Sequence, residues 1–397
     1  GRAVGEAKAD LDIESVHAEA VKTPSHESVD EMRALLVETL TDAGYPPRVD
    51  DHGNIVASRG AGQAAVCDEA AAPTHPHIVL NTHIDTVAPH VSYERDGDTV
   101  RGRGACDAKG PLAALLAAFL QTNPGEGTLT LAITPDEETT QTGAAALADR
   151  LSADGYIVGE PTDLDVCIAA RGQCEVAITV SGVGGHAASV PADDNPIVRL
   201  KHVLTALEEY DTAVGPDSDD LLGDPKLTPT VVAGGDTPNR VPDQCRLTVD
   251  RRSVPPETSE TFAESLTTHL TAATPDRQAV TVERIDPDTP FPDPFVTDSN
   301  ATVVDALQAA SGGDVRAFGA ATEASYFAPT EPTVVFGPGV LADEEGGVAH
   351  ASREYVRISD IRAAADAVAT SLKRCTEPTR LSTTVWTGLL HIIYYNR

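Results

Sequence analysis

The chain has 397 residues, and its 61 acids against 29 basic residues give a net charge of -32 and a pI near 4.5. That length exceeds one core, so two domains are expected, with 41% hydrophobic residues to fill them. The charge excludes a nucleic-acid or anionic-membrane partner, because no basic patch could dominate such a field.

Only six of the basic residues are lysine, and the acids are dispersed along the chain instead of forming a tail. This is the pattern of a salt-adapted surface, soluble and screened when salt is high. Six cysteines, Cys67, Cys106, Cys167, Cys174, Cys245 and Cys375, form no CxxC pair and are expected as reduced thiols. The first residues lack a charged segment followed by an apolar one, and no apolar run approaches a membrane span, so a cytoplasmic protein is expected. An initial glycine implies a processed or incomplete N-terminus.

In chain order, residues 27–43 carry helical apolar spacing and stop at Gly44, before Pro46 and Pro47. NIVAS at 54–58 reads as a strand, and a loop rich in Gly, Ala and Pro follows over 59–76. HIVLN at 77–81 is short, apolar and β-branched, a core strand expected to end near Asn81 and to leave His83 and Asp85 just beyond it. Residues 111–122 are strongly helical, 128–134 a strand, 143–151 helical and 156–159 a strand. Such alternation predicts an α/β fold with a mostly parallel sheet covered on both faces.

Past residue 172 the rhythm changes. Strand 174–180, helix 195–210, strands 227–235 and 244–252, helix 259–273 and strand 279–285 give the order βαββαβ of a ferredoxin-like module. The segment from Asp286 to Pro294 is a plausible exit, after which helix 300–311, strand 333–339 and helix 358–373 resume the first style. The expected division is therefore 10–172 with 286–375 as one discontinuous domain, 173–285 as an insertion, and 376–397 as an atypical tail. From Arg380 the tail holds no acid and carries the only tryptophan.

The chemistry-bearing residues gather at loop positions. His83 and Asp85 stand two apart, where the carboxylate can hold the imidazole in one tautomer; a satisfied polar pair is the plainer reading. Asp107, in GRGACDAKG at 102–110, is a loop aspartate or a helix N-cap. Asp136, Glu137 and Glu138 form an acidic turn, solvated unless cations offset their repulsion. Glu160 follows another strand, and His350 lies in AHASREYVRI at 349–358. All five positions are expected to follow strands of one sheet and so to converge beyond its carboxyl edge. Two histidines with several carboxylates suit two Zn²⁺ or Co²⁺ ions sharing a bridging carboxylate, with a remaining carboxylate as general base, and predict hydrolysis. A cysteine hydrolase built on Cys106 and His83 is a rival, as is a non-catalytic binding protein on the same scaffold.

These segments together resemble the di-zinc aminoacyl amidohydrolases, which include acetylornithine deacetylase, succinyl-diaminopimelate desuccinylase and glutamate carboxypeptidases. The matches are HxD at 83–85, GRGxxDxKG at 102–110, PDEE at 135–138, GEPT at 159–162, GxGGHAA at 182–188 and AHxxxEYV at 349–356, spanning nearly all of residues 20–372 in the family's order. The resemblance implies His83, Asp107 and Glu160 on one metal, and Asp107, Glu138 and His350 on the other, with Asp107 bridging. It implies Glu137 as base and proton shuttle, Asp85 as orienter of His83, and the insertion as a lid and dimerisation domain. Through that domain His186 would reach the active site of a second copy in a homodimer. Asn239 and Arg252 match positions that meet the substrate carbonyl and carboxylate, the latter suited by the guanidinium fork. Glu323, in ATEASYF, is expected to pair with a substrate ammonium, and Arg353 departs from the family's short polar or acidic residue and puts the pocket charge in question. The implied activity is hydrolysis of a small N-acyl amino acid, acetylornithine first, with succinyl-diaminopimelate, carrier-bound lysine or ornithine, and di- or tripeptides as alternatives. The acidic composition resembles that of haloarchaeal proteins.

Overall fold

The computed structural model describes residues 11–61, 76–276, 279–285 and 289–377. Cys67, most of the 59–76 loop, part of the 286–294 exit and nearly all of the 376–397 tail lie outside the described residues. In chain order the first part comprises α1 (Ile13–Lys22), α2 (Asp30–Asp42), β1 (Arg48–Val49), β2 (Ile55–Gly60), β3 (His77–His83), β4 (Glu94–Asp96), β5 (Thr99–Arg101), α3 (Lys109–Gln121), β6 (Thr128–Thr134), α4 (Thr142–Ala148), β7 (Gly155–Val158) and β8 (Val166–Ala170).

The middle part holds β9 (Cys174–Ser181), β10 (Gly185–His186), α5 (Pro196–Ala213), β11 (Lys226–Ala233), β12 (Arg240–Val241), β13 (Gln244–Arg252), α6 (Ser259–Ala273) and β14 (Val280–Arg284). The last part holds β15 (Phe295–Val296), α7 (Thr302–Ser311), β16 (Val315–Ala317), α8 (Ala324–Phe327), β17 (Thr333–Val335), β18 (Ala342–Asp343), β19 (Gly346–Gly347), β20 (Tyr355–Arg357) and α9 (Ile358–Cys375).

The main sheet runs β1-β2-β6-β3-β7-β17-β8-β15, with β16 also on β8. Its centre, β6-β3-β7-β17, is parallel, and antiparallel strands flank it. The strand β3 reads HIVLNTH and is buried throughout, because both faces are covered. Ile78 and Leu80 face a layer built by α1, α2, α3, α7 and α9, whereas Val79 faces α4 and α8 through Ala144, Leu147, Ala324 and Phe327. Helix α3, KGPLAALLAAFLQ, is apolar nearly all round and correspondingly sits inside.

Between β8 and β15 the chain builds a second sheet, β11-β13-β9-β14, wholly antiparallel, which is the strand order of the expected βαββαβ module. Alternate residues Cys174, Val176, Ile178 and Val180 of β9 point to α5 and α6, where Leu200, Val203, Tyr210, Phe262 and Leu266 complete a core of its own. A capping box between Thr258 and Thr261 starts α6. The chain leaves and returns at one place, since Phe295 and Val296 of β15 pair with Ala170 and Ala169 of β8. Among the described residues no helix is long and apolar enough to cross a membrane, and the five described cysteines are buried and free.

Candidate metal centre

Three of the candidate residues come from the carboxyl edge of the parallel strands. His83 is the last residue of β3, two residues later than the expected strand end, and Glu138 and Glu160 lie in the loops after β6 and β7. Asp107 and His350 correct the expectation that all five follow strands of one sheet. They flank a separate three-stranded sheet, β20-β5-β4: Asp107 follows β5 and His350 precedes β20. Pairing of Tyr355–Arg357 with Thr99–Arg101 brings the two loops together across some 250 residues of sequence, and three-residue strands set by such pairing leave no periodic signal.

Asp107 is 7% exposed, and its two oxygens are divided. Its Oδ1 lies 3.3 Å from His83 Nε2 and its Oδ2 lies 3.2 Å from His350 Nε2. Glu138 Oε1 is 2.8 Å from the same His350 nitrogen. The donor atoms of His83, Asp107 and Glu160 lie within 4.8 Å of one another, as do those of Asp107, Glu138 and His350, so Asp107 is common to both groups. His350 adopts φ 65, a left-handed conformation that costs a non-glycine residue strain and that functional sites retain. The turn delivering Asp107 contains Gly104 at φ 81, where a Cβ would stand 2.9 Å from Thr86 Cγ2.

Supporting contacts fix these atoms. The Asp85 carboxylate accepts the backbone N–H groups of Glu137 and Glu138 at 3.0 and 2.9 Å, and its Oδ1 is 3.2 Å from His83 Nδ1. One side chain thereby sets the imidazole's orientation and the start of the acidic loop, although Asp85 lies past the end of the strand. Glu354, 1% exposed, does the same for Asp107: its Oε1 accepts the N–H groups of Cys106 and Asp107, both at 3.1 Å, and its Oε2 is 2.8 Å from Arg103 Nη1. In the sequence Glu354 is one letter of AHxxxEYV; its burial and its distant arginine partner have no local signature.

Electrostatically the cluster holds more anions than cations. Burial lowers the His83 pKa, but Asp107 and Asp85 outweigh it and hold the imidazole well above its ordinary value. Hydrogen bonds to Asp107 and Glu138 raise His350 to about 10. Burial, with the neighbouring acids, pushes Glu137 and Glu160 well above the carboxylate range. Carboxylates forced toward neutrality beside His83 Nε2, a buried nitrogen without a hydrogen-bond partner among the described residues, form a donor set that two divalent cations would satisfy. The residues present therefore fit such ions.

A cavity of about 540 Å³ opens on the cluster, lined by Asp107, Glu137, Glu138, Glu160 and His350 on one side and by Gln173, Glu175 and Arg252 of the inserted unit on the other. Arg252 donates from Nε to Asp250 at 2.8 Å and from Nη1 to Gln173 at 3.0 Å. His186 and Asn239 do not line this cavity. They are exposed and adjacent, His186 pairing with Arg240 across β10 and β12 while Ala187 N–H donates to the Asn239 carbonyl at 3.0 Å.

Glu323 departs from its expected place as a substrate contact. It stands just before α8, whose Ala324 and Phe327 enter the core, and is drawn in with them to 1% exposure. There it accepts from Thr134 Oγ1 at 2.6 Å, and burial raises its carboxyl to about 8. Arg353 is occupied by Asp343 and leaves the cavity charge unaltered. Cys106 is fully buried, its Sγ directed to the Val340 carbonyl, and burial pushes its thiol well above the ordinary value. A thiol so placed is no nucleophile for His83 to activate.

The profile of peptidase family M20/M25/M40 matches residues 79–374. Among related proteins, the acetylornithine deacetylase of Myxococcus xanthus is 32% identical over 362 residues, covering 85% of this chain and 89% of that protein. The putative LysW-lysine/LysW-ornithine hydrolase of Pyrobaculum aerophilum is 34% identical over 255 residues, 62% of this chain and 67% of that one. Among solved structures, aminopeptidase PepT from Bacillus cereus superposes with a TM-score of 0.71 at 19% identity, covering 92% of this chain and 98% of that chain.

Proposed function

The chain belongs to peptidase family M20/M25/M40, and from that premise we propose that it is a di-metal amidohydrolase that removes the acyl group from a small N-acyl amino acid, acetylornithine first among them. The observation that carries the reading is the division of the Asp107 oxygens between His83 and His350, at 3.3 and 3.2 Å. His83, Asp107 and Glu160 would hold one ion, and Asp107, Glu138 and His350 the other, zinc or cobalt by donor type. When bound, such ions supply the positive charge that polarises an amide carbonyl and acidifies water.

The protein's own groups do the rest. Glu137 belongs to neither ligand group, and its Oε2 lies 3.9 Å from His83 Nε2, at the edge of the cluster. It is placed to take a proton from the attacking water and return it to the departing amine. Arg252 uses Nε and Nη1 within the protein, and its Nη2 is left to offer the cavity a cationic donor for the substrate carboxylate. Ala188 N–H donates to His186 Nδ1 at 3.2 Å, which leaves Nε2–H as a donor of the neutral ring. In a homodimer formed through residues 173–285, that donor and Asn239 would meet the oxyanion in the second copy's cavity. Support for this pairing comes from the exposed apolar Val231 and Val232 of edge strand β11, 58% and 63% exposed, which line a shallow depression with Leu204 of α5. We place the enzyme in a cytoplasm rich in salt, consistent with a net charge of -32.

The acetylornithine reading is favoured by the length of the Myxococcus match; the Pyrobaculum match favours a carrier-linked lysine or ornithine as second choice. Parallel assays in high KCl on N-acetylornithine, N-succinyl-diaminopimelate, carrier-linked lysine and simple dipeptides separate these. Release of ornithine from the first alone is the expected result. Turnover confined to dipeptides would overturn the non-peptide assignment.

A further inference from the structure

Five acids line the cavity, and four of them belong to the ligand groups or are the proposed base. The fifth, Glu175, comes from the inserted sheet. In the register of β9 on β13 it stands directly opposite Asp250, so the two carboxylates share a sheet face. By the two-residue period Gln173 and Arg252 share it too. The other face is taken by α5 and α6, against which Cys174, Val176 and Val249 pack.

Like charges directly opposed across strands cost stability. Arg252, on the same face, makes no bond to Glu175: it gives Nε to Asp250 and Nη1 to Gln173. Among the described residues the Glu175 side chain has no hydrogen bond or ion pair. A carboxylate left unpaired beside a second one, on the wall of a reaction cavity, lacks a cation that the chain does not supply. Ile285, Phe291 and Phe318 line the same cavity and offer apolar surface to a short methylene chain.

We propose that Glu175 is the specificity-determining residue that selects substrates whose amino acid carries a side-chain ammonium. The proposal rests on the hydrolase reading above and names its substrate class. Arg252 and Glu175 present opposite charges on one wall: the first meets the α-carboxylate, the second the ammonium at the end of the chain. Glu323, buried under the end of β6, is thereby replaced in this role.

The test compares N-acetyl-L-ornithine with N-acetyl-L-norvaline, which has the same carbon chain without the amine. The wild-type holoenzyme should prefer the cationic substrate, and Glu175→Gln should reduce the ratio of the two kcat/KM values by about 10- to 100-fold, the effect of losing a charged hydrogen-bond partner. Glu175→Lys should shift preference toward N-acetylglutamate. Calorimetric binding of free L-ornithine and L-norvaline gives a second readout independent of turnover, and Glu175→Gln should weaken ornithine alone by a similar factor. A ratio and an ornithine affinity both unmoved by Glu175→Gln would overturn the proposal, as would wild-type protein that binds the two amino acids equally, the result if the carboxylate merely holds an inorganic cation. Should wild type hydrolyse neither substrate, the acylase reading fails, while the binding arm still decides the role of Glu175.

Discussion

Glu137→Gln should lower kcat by roughly 10²- to 10⁴-fold, the usual contribution of a positioned general base, while the protein keeps its full metal content. The separation of effects follows from geometry. Glu137 is outside both ligand groups, its backbone N–H is fixed by Asp85 at 3.0 Å, and its Oε1 accepts from Gln141 Nε2 at 3.1 Å. Glutamine preserves that shape and removes the basic oxygen. Burial first, then the charges of Glu160, Glu138 and Glu323, push the Glu137 carboxyl upward, toward the range in which a base both accepts a proton and gives it back. Metal analysis beside steady-state kinetics is the check. Retained turnover would remove Glu137 from the mechanism, and loss of metal together with activity would make it a ligand.

His186→Ala should cost about 10²- to 10³-fold in kcat, as loss of one oxyanion donor does, and mixing it with Glu137→Ala should recover activity. His186 is exposed and does not line its own chain's cavity, so in the proposed homodimer it would serve the site of a second copy. In a mixed dimer the His186→Ala subunit keeps its own Glu137 and receives an intact His186 from its mate, so one of the two sites is complete. Random reassembly makes about half the dimers mixed, so about a quarter of wild-type activity should return. No recovery, from subunits shown to exchange, would put His186 in its own chain's site or outside the reaction.

The parallel strands and the insertion were legible because burial writes itself on sequence. Residues 78–80, Ile-Val-Leu, are apolar toward both faces since helices cover both, and QCRLTVDRR at 244–252 alternates since only one face of its sheet is covered. His83, Glu138 and Glu160 were legible as strand-end residues. The remainder depends on pairing at long range. β4, β5 and β20, three residues each, exist through one another, and they deliver Asp107 and His350. Glu323 and Glu175 show the same limit at single residues. Both are glutamates in apolar settings, and only packing decides that the first is drawn beneath the sheet and the second faces the cavity.

The most direct measurement of the central claim is activity against metal content. Protein stripped by a chelator in high KCl, then titrated with Zn²⁺ or Co²⁺, should regain hydrolysis of N-acetylornithine and saturate at two ions per chain, with protons released at neutral pH as His350, raised to about 10, gives up its proton. Full activity in folded protein shown to hold no metal, or binding that saturates at a single ion, would contradict a pair of sites sharing Asp107.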